Sequence, residues 1–152
     1  MQMDDHKSYV IDDLIAMLGE KAVLGKIDET ESYLSDWHDR FHGAAYAVVM
    51  PESTKQVSAI MAYAEKHNII VVPQGGNTGF MGGATPDDSG NTILLSLRRM
   101  NKVRDFDKKN MSMTVEAGCI LQNLQDIAEE SGLYFPLNLA AKGSCTIGGN
   151  LG

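Results

Sequence analysis

No hydrophobic run in this chain approaches the ~20 residues that a membrane-spanning helix needs. Basic residues are scarce: 13 Lys and Arg stand against 20 Asp and Glu, a formal net charge of −7. A nucleic-acid backbone needs a basic face, so this balance argues against that class of partner. Only two cysteines occur, Cys119 and Cys145. They make neither a disulfide framework nor a zinc pattern, and a reducing compartment is the simplest reading. The start, Met1-Gln2-Met3-Asp4-Asp5, is acidic and has no apolar core, so no secretory signal is expected and the expected location is cytoplasmic. No Ser/His/Asp or Cys/His nucleophile arrangement is present. Neither Gly-x-x-x-x-Gly-Lys-Ser/Thr nor Gly-x-Gly-x-x-Gly occurs, which disfavours a P-loop and a Rossmann dinucleotide site.

What is present is glycine in clusters. In Pro73-Gln74-Gly75-Gly76-Asn77-Thr78-Gly79-Phe80-Met81-Gly82-Gly83, five glycines fall within nine residues. The stretch follows Ile69-Ile70-Val71-Val72, a β-branched run that predicts a buried strand. Such a loop can bring bare backbone N–H groups to an anion, because glycine permits close approach and positive φ. It holds no Lys or Arg, so the expected ligand is a diphosphate held mostly by dipoles. The plain alternative is a flexible connector. A second cluster, Gly143-Ser144-Cys145-Thr146-Ile147-Gly148-Gly149-Asn150-Leu151-Gly152, would read as a loop if it stood alone. Two such clusters could line two parts of one extended ligand.

The length of 152 residues suits one domain with a real core, and 43% hydrophobic with 22% charged residues suits a globular one. Val10 to Leu18 predicts a helix with Ile11, Leu14, Ile15 and Leu18 on one face, stopped by Gly19. Residues 24 to 43 predict loop with at most a short strand. Ala45 to Met50 predicts a strand ended by Pro51. Ser53 and Gln56 then read as a capping box for a helix with Val57, Ile60, Met61 and Ala64 inward. Strand, helix and strand predict a βαβ unit and a parallel pair. Ile93 to Leu97 predicts a buried strand. Val103 to Phe106 and the alternation Met111, Met113, Val115, Ala117 predict a hairpin turning at Lys108-Lys109-Asn110. Ile120 to Ser131 predicts a helix with Leu121, Leu124 and Ala128 inward and Gly132 as its stop. The second glycine cluster runs to the last residue, and this predicts that the chain is the front part of a longer protein.

Other candidates have bland readings. His38 and His42 are four apart and would share a helical face as metal ligands can, but no third ligand is evident. Surface or packing histidines fit better, as for His6 and His67. Cys119 reads as a small buried residue near a helix start. Cys145 could touch a ligand, although packing is the simpler role. Met17, Met61 and Met113 read as core filling. Lys102, Arg104, Lys108 and Lys109 alternate with Asp105 and Asp107 and read as a solvated face.

The loop of residues 73–83 resembles the pyrophosphate loop of FAD-linked oxidases of the vanillyl-alcohol oxidase type, the PCMH-type FAD-binding domain. Val48-Val49-Met50-Pro51-Glu52-Ser53-Thr54 and Val115-Glu116-Ala117-Gly118-Cys119 are similar to strands and turns of that family. The run from Phe135 to Asn150 resembles its second flavin loop. Within the family, the likeness is to the D-2-hydroxyacid dehydrogenases.

The resemblance implies an α+β fold: an N-terminal parallel βαβ subdomain and the start of a second, mainly antiparallel one. Residues 1–43 would be an N-terminal helix and lead-in, and 44–152 the FAD-binding domain, incomplete at its C-terminus. Pro73, Gln74, Gly75, Gly76, Asn77, Thr78 and Gly79 would hold the FAD diphosphate, with Gly82 and Gly83 shaping the end of the loop. Pro136, Gly143, Ser144, Cys145, Thr146, Gly149 and Asn150 would line the flavin and its ribityl chain. Some relatives attach flavin through a His in the first loop. Asn77 stands there, which implies non-covalent FAD. The implied reaction oxidises a D-2-hydroxyacid to a 2-oxoacid by hydride transfer to flavin, with an electron acceptor as second partner and homodimerisation left open. The residues for hydroxyacid and metal lie further along in this family, so no catalytic or metal residue is named here. The chain alone is expected to be inactive. Two rivals remain: an oxidase of an alcohol or sugar on the same fold, and a non-catalytic phosphate- or nucleotide-binding fragment.

Overall fold

The computed structural model describes residues 2–151, with side chains from Lys7 onward, so the surface position expected for His6 lies outside the described residues. The first helix, α1 (Gln2–Leu18), begins well before the predicted stretch. Gly19 stops it with φ 88°, and its N–H donates to the Ile15 carbonyl at 2.8 Å. A left-handed residue there costs a glycine little. Val10 and Leu14 are the fully buried positions, so the inner face is turned slightly from the predicted one, with Ile11, Ile15 and Leu18 on its flanks.

Strand β1 (Val23–Leu24) pairs antiparallel with β2 (Ala47–Val49), and the short helix α2 (Ile27–Thr30) lies between them in sequence. Helix α3 (Thr54–His67) starts as predicted: Ser53 Oγ accepts the Gln56 N–H. Gln56 Oε1 reaches back one residue further than a standard capping box, to the Glu52 N–H at 2.7 Å. Asn68, at φ 54°, closes the helix. Ile60 and Ala64 are buried, but Met61 is 48% exposed and is a surface residue, not core filling.

Strands β3 (Ile70–Gln74) and β4 (Thr92–Ser96) complete a four-stranded sheet in the order β1-β2-β4-β3. β2 and β3 both run parallel to β4, so the βαβ direction is as predicted, yet β4 is inserted between them. All five residues of β4 are buried. β3 is an edge, with Ile70 exposed and Val71 and Val72 half-buried, so the expectation of a buried strand there is corrected. Ala47, Val49, Ile93 and Leu95 pack with Val10, Leu14, Ile60 and Ala64 into one core. Each such Leu or Ile contributes roughly 1.5–3 kcal/mol by leaving water. By strand alternation the opposite face carries Val48, Leu94, Gln74 and Ser96.

The second region opens with a hairpin, β5 (Val103–Asp107) and β6 (Ser112–Val115), irregular between Val103 and Asp105. Its turn is held by Asp107 Oδ1, which accepts the N–H groups of Lys109 and Asn110. Helix α4 (Leu121–Glu130) buries Leu121, Leu124 and Ala128 as predicted, and Gly132 at φ 74° ends it. Cys119, Leu124 and Ile147 form a smaller cluster against Val103, Met113, Val115 and Phe135. Part of the second glycine cluster, expected as loop, is a single helical turn, α5 (Ile147–Asn150). The fold is α+β, as the sequence implied.

Candidate functional site

The first glycine loop leaves the C-terminal end of β3, where ligands gather in parallel sheets. The structure sorts its glycines into two kinds. A Cβ on Gly75 would sit 2.2 Å from Thr146 Oγ1, and one on Gly76 would sit 2.0 Å from the Ser144 carbonyl oxygen. These two glycines let the loop press against the second cluster. Gly79 and Gly83 have no neighbouring atom within 4 Å of such a Cβ, so that limb of the loop faces open space. Gly82 turns the chain at φ 70°, with Phe41 packed beneath it.

Where the loops meet there is a cleft of about 530 Å³. Gly76, Ser144 and Thr146 form one wall, Gly118, Cys119 and Ile120 another, and Trp37, Arg98, Asn101 and Asn123 edge it. The second cluster is carried there by backbone pairing: Leu121 donates to the Cys145 carbonyl, and Ile147 to that of Cys119. Burial pushes the Cys119 thiol up, so it faces the cleft as a neutral group. Among the described residues, the cleft walls hold one cation, Arg98, and no carboxylate. Arg98 Nε donates to the Gly75 carbonyl at 3.4 Å, and its guanidinium lies 5.6 Å from the centre of the Tyr33 ring.

The remaining site candidates fall into different positions. Pro73 is exposed at the end of β3, and Thr78 is half-buried. Gln74 is 1% exposed, and its Nε2 donates to the carbonyls of Tyr33 and Ala84 at 2.9 Å each. Its Oε1, like Ser96 Oγ beside it in register, is buried without a partner. Asn77 sits at φ 54° and donates its side-chain amide to the Ser35 carbonyl at 2.8 Å, so that amide holds the loop itself. Cys145 and Thr146 are buried, and Asn150 Nδ2 lies 3.6 Å from Cys145 Sγ. Gly143, Ser144 and Gly149 are exposed. Pro136 is not brought to the cleft: Phe135 before it packs into the second cluster, and Leu137 after it accepts Gln125 Nε2 at 2.6 Å. His38 and His42 share no helix; the His38 ring lies tilted against that of Phe80, 4.8 Å between centres, and His42 pairs with Asp39.

Residues 45–152 match the family model described as FAD binding domain. The chain belongs to this FAD-binding family. Its cofactor is FAD. The chain is 39% identical to a mitochondrial D-2-hydroxyglutarate dehydrogenase of Arabidopsis thaliana over 137 residues, 89% of this chain and 24% of that protein. It is 40% identical to a mitochondrial D-2-hydroxyglutarate dehydrogenase of Bos taurus over 146 residues, 92% of this chain and 26% of that one. The chain thus spans about a quarter of the length of these curated relatives. Among solved structures, an alkyldihydroxyacetonephosphate synthase superposes with a TM-score of 0.83 at 21% identity, over 93% of this chain and 28% of the other. That likeness shows the fold of the FAD-binding domain. The cytoplasmic location expected from the sequence is corrected here, because the plant and bovine relatives are mitochondrial by name. A scarcity of cysteine does not tell one reducing compartment from another.

The donor set fits FAD. The cleft volume lies within the roughly 300–1,000 Å³ usual for cofactor sites. The open limb at Gly79 and Gly83 leaves room for an anion against bare backbone. Sequence reasoning missed Arg98, Trp37, Asn101 and Asn123. Arg98 could have been found from its place just beyond the central strand, at the same end of the sheet as the glycine loop.

Proposed function

We propose that residues 44–152 form the FAD-binding portion of an oxidoreductase that converts a D-2-hydroxyacid to its 2-oxoacid, with residues 1–43 as helix and lead-in. The observation that carries this reading is the contact of two glycine loops, Gly75 and Gly76 against Ser144 and Thr146, beside a cleft whose cation is Arg98. The backbone of Gly76, Thr78 and Gly79 binds the diphosphate, and Gly82 and Gly83 fix the exit of that loop. Gly143, Ser144, Cys145, Thr146, Gly149 and Asn150 form the second wall, and Gln74 braces the first loop through the Tyr33 and Ala84 carbonyls, while Pro73 and Pro136 are exposed and Pro136 stands outside the cleft. FAD supplies the hydride acceptor when bound. The chain's own residues bind it, orient it and narrow access for water. The D-2-hydroxyglutarate dehydrogenases among the relatives support a hydroxyacid substrate. The hydroxyacid, the electron acceptor and any homodimer contacts belong to a protein of the relatives' length.

The link to FAD is non-covalent, because residues 73–83 contain no histidine and the Asn77 side chain is already held by Ser35. The test is to load the chain with FAD, denature it in acid and spin out the protein. All flavin in the supernatant is the expected result, and yellow precipitated protein would overturn the non-covalent link. The rival alcohol or sugar oxidase is separated by assaying a protein of the relatives' length with D-2-hydroxyglutarate, D-lactate, alcohols and sugars.

A further inference from the structure

The segment between β1 and β2, residues 33–41, was expected to be loop with at most a short strand. The structure makes it a strap tied to the glycine loop at successive points. Gln74 and Asn77 donate to the Tyr33 and Ser35 carbonyls. The Arg40 guanidinium donates to the Phe80 carbonyl, and His38 packs on the Phe80 ring. Phe41 lies under Gly82, and Trp37 edges the cleft.

One buried side chain gives this strap its shape. Asp36 is 5% exposed. Its Oδ1 accepts the N–H groups of Arg40 at 2.6 Å and Phe41 at 2.8 Å. Its Oδ2 accepts the His38 N–H at 3.4 Å and lies 4.0 Å from Arg40 Nε. A buried carboxylate bound this way folds five residues into a closed turn. The Phe41 N–H is the largest influence holding its carboxyl below the usual range.

We infer that Asp36 is a positioning residue for FAD: it sets the strap, and the strap sets the glycine loop before the cofactor arrives. Pre-ordering of this kind lowers the entropy lost on binding, so it shows in affinity more than in global stability. The inference rests on the FAD-binding reading. It predicts which atom matters. Asn keeps an acceptor at the Oδ1 position, where the two shorter bonds are made, and Ala keeps none.

The experiment is FAD titration, followed by flavin fluorescence, of the wild-type chain and of Asp36→Asn, Asp36→Ser and Asp36→Ala, with each melting temperature measured without FAD. Expected are a dissociation constant for Asp36→Asn within about threefold of wild type and a loss of about tenfold or more for Asp36→Ala, with Asp36→Ser between them. Cofactor-free melting temperatures should change far less than the affinities do. Wild-type affinity in Asp36→Ala would overturn the inference and leave the FAD reading standing. So would Asn as damaging as Ala. If Asp36→Ala does not fold, the Asn and Ser variants give the same ranking. A wild-type chain that ignores FAD would overturn both.

Discussion

The two regions of this molecule are built to different standards. The first, α1 to β4, closes a core from α1, α3 and the sheet, with Val10, Leu14, Ile60, Ile93 and Leu95 all nearly or fully buried. The second, β5 to α5, has a two-stranded sheet and a cluster centred on Cys119, Leu124 and Ile147. Beside that cluster an apolar groove of about 570 Å³ stays open, lined by Phe106, Met113, Val115, Phe135 and Leu151 among others. A two-stranded hairpin is marginal by itself and needs packing against a helix, which here comes through a cluster of three buried residues. The second region leans on the first where the two glycine loops pack against each other. Stability is concentrated in one region, and the candidate site sits on the seam between it and the weaker one.

Mutations can break that comparison. Leu14→Ala removes a fully buried side chain from the closed core and should cost about 3–5 kcal/mol, seen in denaturant melts as loss of the whole fold. Leu124→Ala, beside an open groove, should cost about 2 kcal/mol. Hydrogen exchange should then quicken in β5 and β6 while β4 stays protected. Equal loss of protection in both regions would show that they form one cooperative unit.

Gly76→Val acts on the seam. Its side chain would meet the Ser144 carbonyl, so the loops must part, and FAD affinity should fall about 100-fold or more, roughly 2.7 kcal/mol. Gly79→Ala sharpens the test, because its Cβ meets open space. It should leave the cofactor-free melting temperature unchanged, so any fall in FAD affinity there reports the ligand alone.

Asn77→Ala removes the bond to Ser35 and leaves a left-handed residue without its side-chain anchor. A cost of about 1 kcal/mol is expected in stability or FAD affinity. Asn77→Gly tolerates the φ and loses only the bond, so it should fall between the two.

The smallest effect is a pH dependence. Glu116, behind the cleft, accepts the Lys102 N–H and pairs with Arg104. The Lys102 N–H first, and Arg104 next, hold its carboxyl below the ordinary value of 4.5. Its stabilising effect is therefore present above that value and is lost as pH falls through the lower, folded-state value. Glu116→Gln should flatten the acid limb of stability curves for β5 and β6, and an unchanged limb would remove Glu116 as a source of acid sensitivity.

Much of this was legible along the chain because the signals are local. Gly19, Ser53 and Gly132 mark helix ends by rules that act within a turn, and the hairpin shows in period-two alternation. The order of the sheet was not legible, because placing β4 between β2 and β3 depends on pairing between residues far apart in the chain, as in Val71 with Ile93 and Ala47 with Ile93. Ile70 and Met61 looked inward by pattern, and lie on an edge and an outer face that only the assembled sheet defines. The glycines of the first loop were read as room for phosphate. Gly79 and Gly83 face open space, whereas Gly75 and Gly76 make room for the second loop. The strap of residues 33–41 was hidden because its anchors are the Tyr33 and Ser35 carbonyls, which any residue could offer.

The most direct test of the central claim is to titrate FAD into the purified chain with ADP and riboflavin as competitors. Saturable quenching of flavin fluorescence that ADP reverses and riboflavin does not is the predicted result, as expected if the first glycine loop grips the diphosphate. No saturable quenching, or reversal by riboflavin but not by ADP, would contradict it.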